Sequence, residues 1–407
     1  MLQLDLIQTL AFGGVALFLG HALRKVVPVL ARYNLPAPVL GGLLIAAAVL
    51  VARSQGVTLF TFDTTLQSPL MIAFFTTIGF GASLSLLRVG GPQVLRFFLI
   101  ATVFAVVQNL VGILIAIPFG LDPLFGVLAG SVTLTGGPAT GLAFAPLFEQ
   151  AGVIGAASIA VAAAMGGIVS GGIVGGPVST LLIERHSLAT PGRARPAATP
   201  AQGAGNPGPA DDAHAASVDD DEDVWPFLKN LIAILVAMWA GAWVSQGFAA
   251  LGLTLPAYIG AMLVAAVIRN VDDATGWLRL SHRFIGDFGA VALSLFLVMA
   301  LMTLRLWELS GLALPLVAIL IAQVALTAAA ASVVFRAMGR NYESAVMSGG
   351  FIGFMLGTTA NAMAVMRTLV ERYGPAPRAF LVAPMVGAFF IDFTNALIIT
   401  VFVNILT

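Results

Sequence analysis

The sequence predicts an all-α polytopic membrane protein built from two inverted five-helix repeats, each with a re-entrant hairpin. Of its 407 residues, 59% are hydrophobic and 9% are charged, whereas soluble proteins carry about 25% charged residues. Two Gly- and Thr-rich stretches, 130–141 and 349–361, interrupt otherwise apolar segments. Because a helix in lipid must satisfy its own backbone hydrogen bonds, matching breaks in two halves indicate unwound backbone that faces a water-filled cavity.

Apolar runs that approach the roughly 20 residues of a spanning helix follow one another along the chain. In the first repeat, 1–184, they occupy 4–23, 35–52, 68–87, 94–118 and 155–183, with a hairpin predicted at 122–150. In the second repeat, 226–407, they occupy 226–250, 255–268, 285–307, 311–337 and 379–405, with a hairpin predicted at 341–371. The Ala/Pro/Gly-rich segment 185–225 between them has no apolar period, which predicts a disordered linker.

The two halves repeat short motifs at a steady offset. Leu-Pro-Ala occurs at 35–37 and again at 255–257, Gly130 corresponds to Gly349, and Gly137 corresponds to Gly357. Each half has an odd number of spans, so the second copy must enter the membrane from the opposite side. The repeat is therefore predicted to be inverted.

The 19 Lys and Arg residues test this topology, because basic residues collect on the cytoplasmic side. With the N-terminus outside and both breaks treated as hairpins, all of them except Arg53 and Arg305 fall inside. Counting either break as a full span would invert the downstream loops. The charges therefore predict a first hairpin entering from outside, a second entering from inside, periplasmic termini and a cytoplasmic linker at 185–225.

The residues at the two hairpin tips suit a small anion. Glycine permits close backbone approach, and free amides at a helix N-terminus bind carboxylates with help from the helix dipole. Small residues can also serve helix packing alone, but the matching repeat positions favour a binding role. The candidate substrate-binding residues are Thr135, Gly136, Gly137, Thr140, Gly141, Gly357, Thr358, Thr359 and Asn361.

Three polar residues within predicted spans are candidate ligands of a metal ion, Na⁺. Asp392 is an acid deep in the last span, where ionisable residues usually serve ion or proton pathways. Asn395 follows about one turn later, and Asn109 lies within 94–118. Packing roles compete with this interpretation: Asp392 could pair with Arg367, and Asn109 could join helices. Arg367 itself could pair with a substrate carboxylate or extend to the membrane interface.

Several other classes of protein fit the sequence poorly. The chain has no cysteine, which excludes disulfides and thiolate chemistry. It also lacks the basic patch that is typical of proteins that bind nucleic acid. An intramembrane aspartyl protease would need two deep aspartates, and a serine protease would need a histidine within a span. The sequence therefore predicts a protein that is not an enzyme and that has no cofactor besides Na⁺ as a coupling ion.

Five motifs resemble the bacterial sodium/glutamate symporter family over nearly the whole chain. They are PVLGGLL (38–44), SPLMIAFFTTIGF (68–80), GLDPLFGVLAGSVTLTGG (120–137), LSLFLVMALMTLRLWEL (293–309) and FLVAPMVGAFFIDFTNALI (380–398). The resemblance implies Na⁺-driven import of L-glutamate across the bacterial inner membrane. It also implies a homodimer and elevator-like movement of a hairpin-bearing domain against a fixed scaffold.

The two tips depart from the pattern of the enterobacterial members of that family. GGPATG stands where those members have GGHGTG, with Pro138 at the histidine position and Ala139 at a glycine position. The second tip has LGTTAN in place of a stretch containing Ala-Thr-Pro-Thr. The alternative function is therefore a Na⁺- or H⁺-coupled carrier of a citrate- or malate-like dicarboxylate, with an intramembrane enzyme as a remote alternative.

Overall fold

The computed structural model of the protein describes residues 2–33, 35–85, 91–188, 220–251, 256–309 and 311–407, without the side chains of 220–224, 388 and 389. Most of the predicted linker and residue 255 of the repeated Leu-Pro-Ala motif lie outside these ranges. The first half contains β1 (Leu2–Leu4), α1 (Leu6–Val26), α2 (Pro28–Arg32), α3 (Ala37–Ser54), β2 (Phe60–Phe62), α4 (Gln67–Gly81), α5 (Gly91–Ala116), α6 (Pro123–Val127), α7 (Gly137–Gln150) and α8 (Ala156–Arg185). The second half contains α9 (Asp220–Ala250), α10 (Ala257–Thr275), α11 (His282–Met302), α12 (Ala313–Ala337), α13 (Tyr342–Met355), α14 (Thr359–Tyr373), α15 (Pro377–Met385) and α16 (Ile391–Leu406).

The prediction of an all-α polytopic membrane protein is confirmed. Within the described ranges, seven helices are long and apolar enough to cross a membrane: α1, α3, α5, α8, α9, α11 and α12. The shorter helices α4 and α16 have 15 and 16 residues. The exception to the all-helical pattern is a parallel pairing of β1 with β2, which the sequence analysis does not anticipate.

Two predicted segments differ from the structure in their internal organisation. The last apolar run, predicted as one span over 379–405, is divided into α15 and α16 by a π-helical turn at Val386–Phe390. Pro384 lies two residues before this turn and Gly387 lies within it, and neither residue favours an uninterrupted α-helix. At the linker, α9 already begins at Asp220, inside the segment predicted as 185–225.

The helices pack in two groups. The first helix group consists of α1, α3, α4, α9, α10 and α11, which contact one another extensively. The second helix group consists of α5 to α8 and α12 to α16, and it contains both broken segments. Backbones of the two groups approach each other less often than those within each group, although side chains of both share one hydrophobic cluster. In that cluster the rings of Phe144 of α7 and Tyr258 of α10 meet edge to face, with centroids 5.2 Å apart.

Each half contains one pair of helices that cross through glycines. In the first half, a Cβ on Gly20 of α1 would collide with the Ala37 carbonyl of α3, and one on Gly41 would collide with the Ala16 carbonyl. In the second half, a Cβ on Gly241 of α9 would collide with the α10 backbone, and one on Gly260 would collide with the Gly241 carbonyl. Small residues therefore let the backbones touch at both crossings.

Candidate functional site

The first broken segment runs from α6 through a π-helical turn at Leu128–Val132 to α7. Gly130 has φ −96° and ψ −127°, which is outside the helical region. A Cβ on Gly130 would lie 2.8 Å from the Asn109 side-chain oxygen of α5, so only glycine allows this approach. The break frees backbone groups that need partners other than lipid.

Two asparagines supply partners for the freed backbone. The Ser131 amide donates to Asn109 Oδ1 at 2.8 Å, and Asn395 Nδ2 of α16 donates to the Ser131 carbonyl at 2.9 Å. All three side chains are fully buried. Within the described residues, Ser131 Oγ, Asn395 Oδ1 and Asn109 Nδ2 have no hydrogen-bond partner. Buried oxygens without donors beside unwound backbone are suitable ligands for a small hard cation.

Gln108 connects the two broken segments. Its Nε2 donates to the Met355 carbonyl at the end of α13, and its Oε1 accepts from the Thr135 hydroxyl at 2.5 Å. Gln323 Nε2 of α12 donates to the Gln108 backbone carbonyl at 2.7 Å. Since these groups are buried, they fix α5 against both hairpin tips.

The second broken segment changes direction between α13 and α14. Thr358 has an extended backbone and its hydroxyl accepts from the Asn361 amide, which caps the first turn of α14. Asn361 Nδ2 donates to the carbonyls of Ile168 and Gly353, at 3.0 and 3.2 Å. Thr359 donates to the Gly387 carbonyl at 2.7 Å, which ties the tip to the π-helical turn before α16.

The two tips meet. A Cβ on Gly137 would lie 3.4 Å from both the Gly357 carbonyl oxygen and Thr358 Cγ2. Gly137 begins α7 and has φ +68°, a conformation that favours glycine. Because Thr359 begins α14, the N-terminal ends of two helices converge here. Converging helix N-termini of this kind are suited to anionic groups.

Most of the remaining predicted tip residues serve structure. Gly141 packs against α8, since a Cβ there would lie 2.9 Å from Ala160 Cβ. Thr140 and Thr135 are buried, and the Thr135 hydroxyl is already bonded to Gln108. Gly136, Thr358 and Thr359 are partly exposed. Pro138 lies in the first turn of α7, where its missing N–H costs no helical hydrogen bond.

The structure separates Asp392 from the asparagine network. Asp392 lines a cavity of about 390 Å³ with residues of α4, α10 and α11. Within the described residues its carboxylate makes no hydrogen bond or ion pair, including none to Arg367, which is exposed. The structure thus brings Asn109 and Asn395 together, whereas Asp392 faces the first helix group.

Sequence reasoning missed Ser131 and the connecting role of Gln108. Ser131 directly follows Gly130, the glycine at the break, and this position could have indicated a role for Ser131 at the site. Gln108 precedes Asn109 in a strongly apolar span, and two adjacent amides in such a helix indicate a buried polar network.

Broken helices whose tips meet inside a polytopic bundle are the architecture of a membrane transport protein. The chain belongs to the sodium/glutamate symporter family. The family model described as Sodium/glutamate symporter matches residues 2–375. It is 41% identical to the Sodium/glutamate symporter of Escherichia coli (strain K12) over 410 residues, covering 99% of this chain and 98% of that protein. It is 38% identical to the protein of the same name from Haemophilus influenzae, covering 97% of this chain and 96% of the relative.

Proposed function

We propose that this protein is a Na⁺-coupled symporter that imports L-glutamate across the bacterial inner membrane. The observation that carries the proposal is the convergence of the α7 and α14 N-termini at Gly137 and Gly357. Two helix dipoles that converge there, with the first-turn amides that Pro138 and the Thr358 cap leave available, suit the carboxylates of a small dicarboxylate. The names of full-length relatives support glutamate and sodium as the transported pair.

The proposed sodium site lies at the first break. Ser131 Oγ and Asn395 Oδ1 are its side-chain ligands, while Asn109 holds the unwound backbone through the Ser131 amide. A cation at this place offsets the charge of the anion bound at the adjoining tips. Each net positive charge that enters down a potential of 100 mV contributes about 2.3 kcal/mol, so cotransport of more than one Na⁺ per glutamate anion makes uptake electrogenic and drives accumulation.

The helix groups support an elevator-like mechanism. The second helix group carries both tips and the proposed sodium site, and its backbone contacts lie mostly within the group, with an apolar side-chain cluster shared with the first helix group. The two glycine crossings, α1 with α3 and α9 with α10, support an inverted repeat in which these helices correspond. In the proposed mechanism the second helix group moves as one body against the first, which serves as the scaffold and dimer-forming part.

Uptake by the purified protein in proteoliposomes tests the proposal. We expect labelled glutamate to accumulate when an inward Na⁺ gradient is imposed and not when a pH gradient replaces it. Unlabelled glutamate should compete with the label, whereas citrate and malate should not. Accumulation of citrate or malate in preference to glutamate would establish the alternative substrate class, and accumulation driven by pH alone would contradict sodium coupling.

A further inference from the structure

Asp392 is an acid of α16 whose carboxylate faces a cavity between the two helix groups. The cavity, about 390 Å³, is lined by α4, α10 and α11 of the first helix group and by Asp392 of the second. Pockets of this volume accommodate small organic ligands. The carboxylate is partly exposed to this cavity and has no hydrogen-bond or ion-pair partner within the described residues, so it is open to a cationic ligand.

Arg269 also lines this cavity but does not neutralise Asp392. Its Nε lies 2.9 Å from Asp273, whose carboxylate also accepts from the Ser83 hydroxyl at 2.5 Å, and its Nη1 contacts His282. Arg269 is therefore committed to a cluster within the first helix group. The negative charge of Asp392 stays available to a ligand.

Asp392 lies, in the sequence, between two residues that bond the two hairpins. The Thr359 hydroxyl of the second hairpin donates to the Gly387 carbonyl, and Asn395 donates to the Ser131 carbonyl of the first. Asp392 lies between these two contact points in the sequence, five residues after Gly387 and three before Asn395. The segment that carries its carboxylate is therefore the one that contacts both tips.

The tip residues provide no negative charge to pair with an ammonium. Gly136, Gly137, Thr358 and Thr359 offer amides and hydroxyls, which suit carboxylates but carry no negative charge. We propose that the Asp392 carboxylate binds the α-ammonium group of the transported amino acid, in the cavity between α16 and the first helix group. This inference rests on the proposed function and makes Asp392 a substrate-selecting residue rather than a sodium ligand.

The consequence is discrimination between amino acids and hydroxy acids of the same shape. A site that pairs an ammonium with a carboxylate that has no other partner rejects ligands that lack the ammonium, because the carboxylate is then left unpaired. 2-Hydroxyglutarate and glutarate share both carboxylates of glutamate but not its charge at the α-carbon. We expect the wild-type protein to bind both of them at least about 20-fold more weakly than glutamate.

A chemical double-mutant cycle tests the inference. Binding of glutamate, 2-hydroxyglutarate and glutarate in saturating Na⁺ is measured by calorimetry on the purified full chain, for wild type and Asp392→Asn. We expect Asp392→Asn to weaken glutamate at least about 20-fold while changing the two analogues less than about threefold. Asp287→Asn is the matched control, since it removes an acid of α11 whose side chain is 77% exposed, and it should change none of the three affinities.

The alternative assignments give different results in the same experiment. Equal weakening of all three ligands together with a raised Na⁺ requirement would make Asp392 a sodium ligand and overturn the inference. Failure of wild type to bind glutamate in Na⁺ at all would instead contradict the proposed function.

A second measurement keeps Asp392 native, in case its substitution prevents folding. The chain has no cysteine, so Ala290→Cys places one thiol at an exposed position in the cavity wall. We expect glutamate with Na⁺ to slow its alkylation at least about fivefold, at a ligand concentration well above Kd, and Na⁺ alone to leave the rate unchanged. An alkylation rate unaffected by bound glutamate would overturn the inference.

Discussion

Replacing Asn395 with alanine is expected to raise the Na⁺ concentration for half-maximal glutamate uptake at least about tenfold, which corresponds to about 1.4 kcal/mol. The substitution removes the unpartnered Oδ1 that is proposed to bind the ion, and it removes the donor to the Ser131 carbonyl. Both losses act at the first break, so the unwound backbone and the cation are affected together. Sodium-dependent uptake in proteoliposomes measures the change.

Two further variants separate ligand loss from a general disturbance of α16. Asn395→Asp keeps an oxygen at the position and should retain activation at low Na⁺. Asn404→Ala shortens another amide of the same helix, which donates to the Thr400 carbonyl, and should behave as wild type. A sodium requirement unchanged in Asn395→Ala would remove this residue from the ion site.

Gly137→Val is expected to reduce glutamate transport at least about 100-fold, equivalent to about 2.7 kcal/mol. A β-branched residue is a strong outlier at φ +68°. Its side chain would also enter the space where Gly137 approaches Gly357 and Thr358, and would move the α7 amides away from the α14 N-terminus. Uptake and glutamate affinity of the purified variant measure the effect.

Gly152→Val provides a matched control for backbone strain. Gly152 also has a positive φ, +102°, but no atom lies within 4 Å of a Cβ built there. Gly152 is exposed and follows the first hairpin. A valine there therefore strains the backbone but makes no contact with the tips. Near-normal transport by Gly152→Val and loss of transport by Gly137→Val together would locate the function at the tips; equal losses would attribute both to strain.

The overall architecture was predictable because membrane insertion restricts what a sequence can do. Long apolar runs must be helices, and glycine-rich breaks such as Gly130 must lie where backbone groups find partners. The meeting of Gly137 and Gly357 followed from treating both breaks as hairpins. The division of the last run was not predicted, because its apolar composition masks the effect of Pro384 and Gly387 on the backbone.

The candidate site was predictable in part. Asn109 and Asn395 stood out because amides are rare in spans, and the structure places both on Ser131. The direction of the Asp392 side chain could not be read from the sequence, because the helical phase of α16 depends on the π-helical turn before it. Internal bonding of Thr135 and Asn361 was also unpredictable, since each partner lies far along the chain.

Cross-linking across the two helix groups tests the proposed movement most directly. Because the chain has no cysteine, pairs of cysteines can be introduced at chosen positions. The double variant Phe144→Cys, Tyr258→Cys allows a bridge between α7 and α10. The double variant Phe75→Cys, Tyr258→Cys allows a bridge between α4 and α10 within the first helix group. The ring separations are similar, 5.2 and 4.9 Å, and both pairs share Tyr258. Glutamate uptake is measured in proteoliposomes before and after bridging with a short, reducible bifunctional thiol reagent.

We expect the bridge between α7 and α10 to stop glutamate uptake and reduction to restore it, while the bridge between α4 and α10 leaves uptake intact. Uptake that continues with the α7 to α10 bridge fully formed would contradict movement of the second helix group against the first.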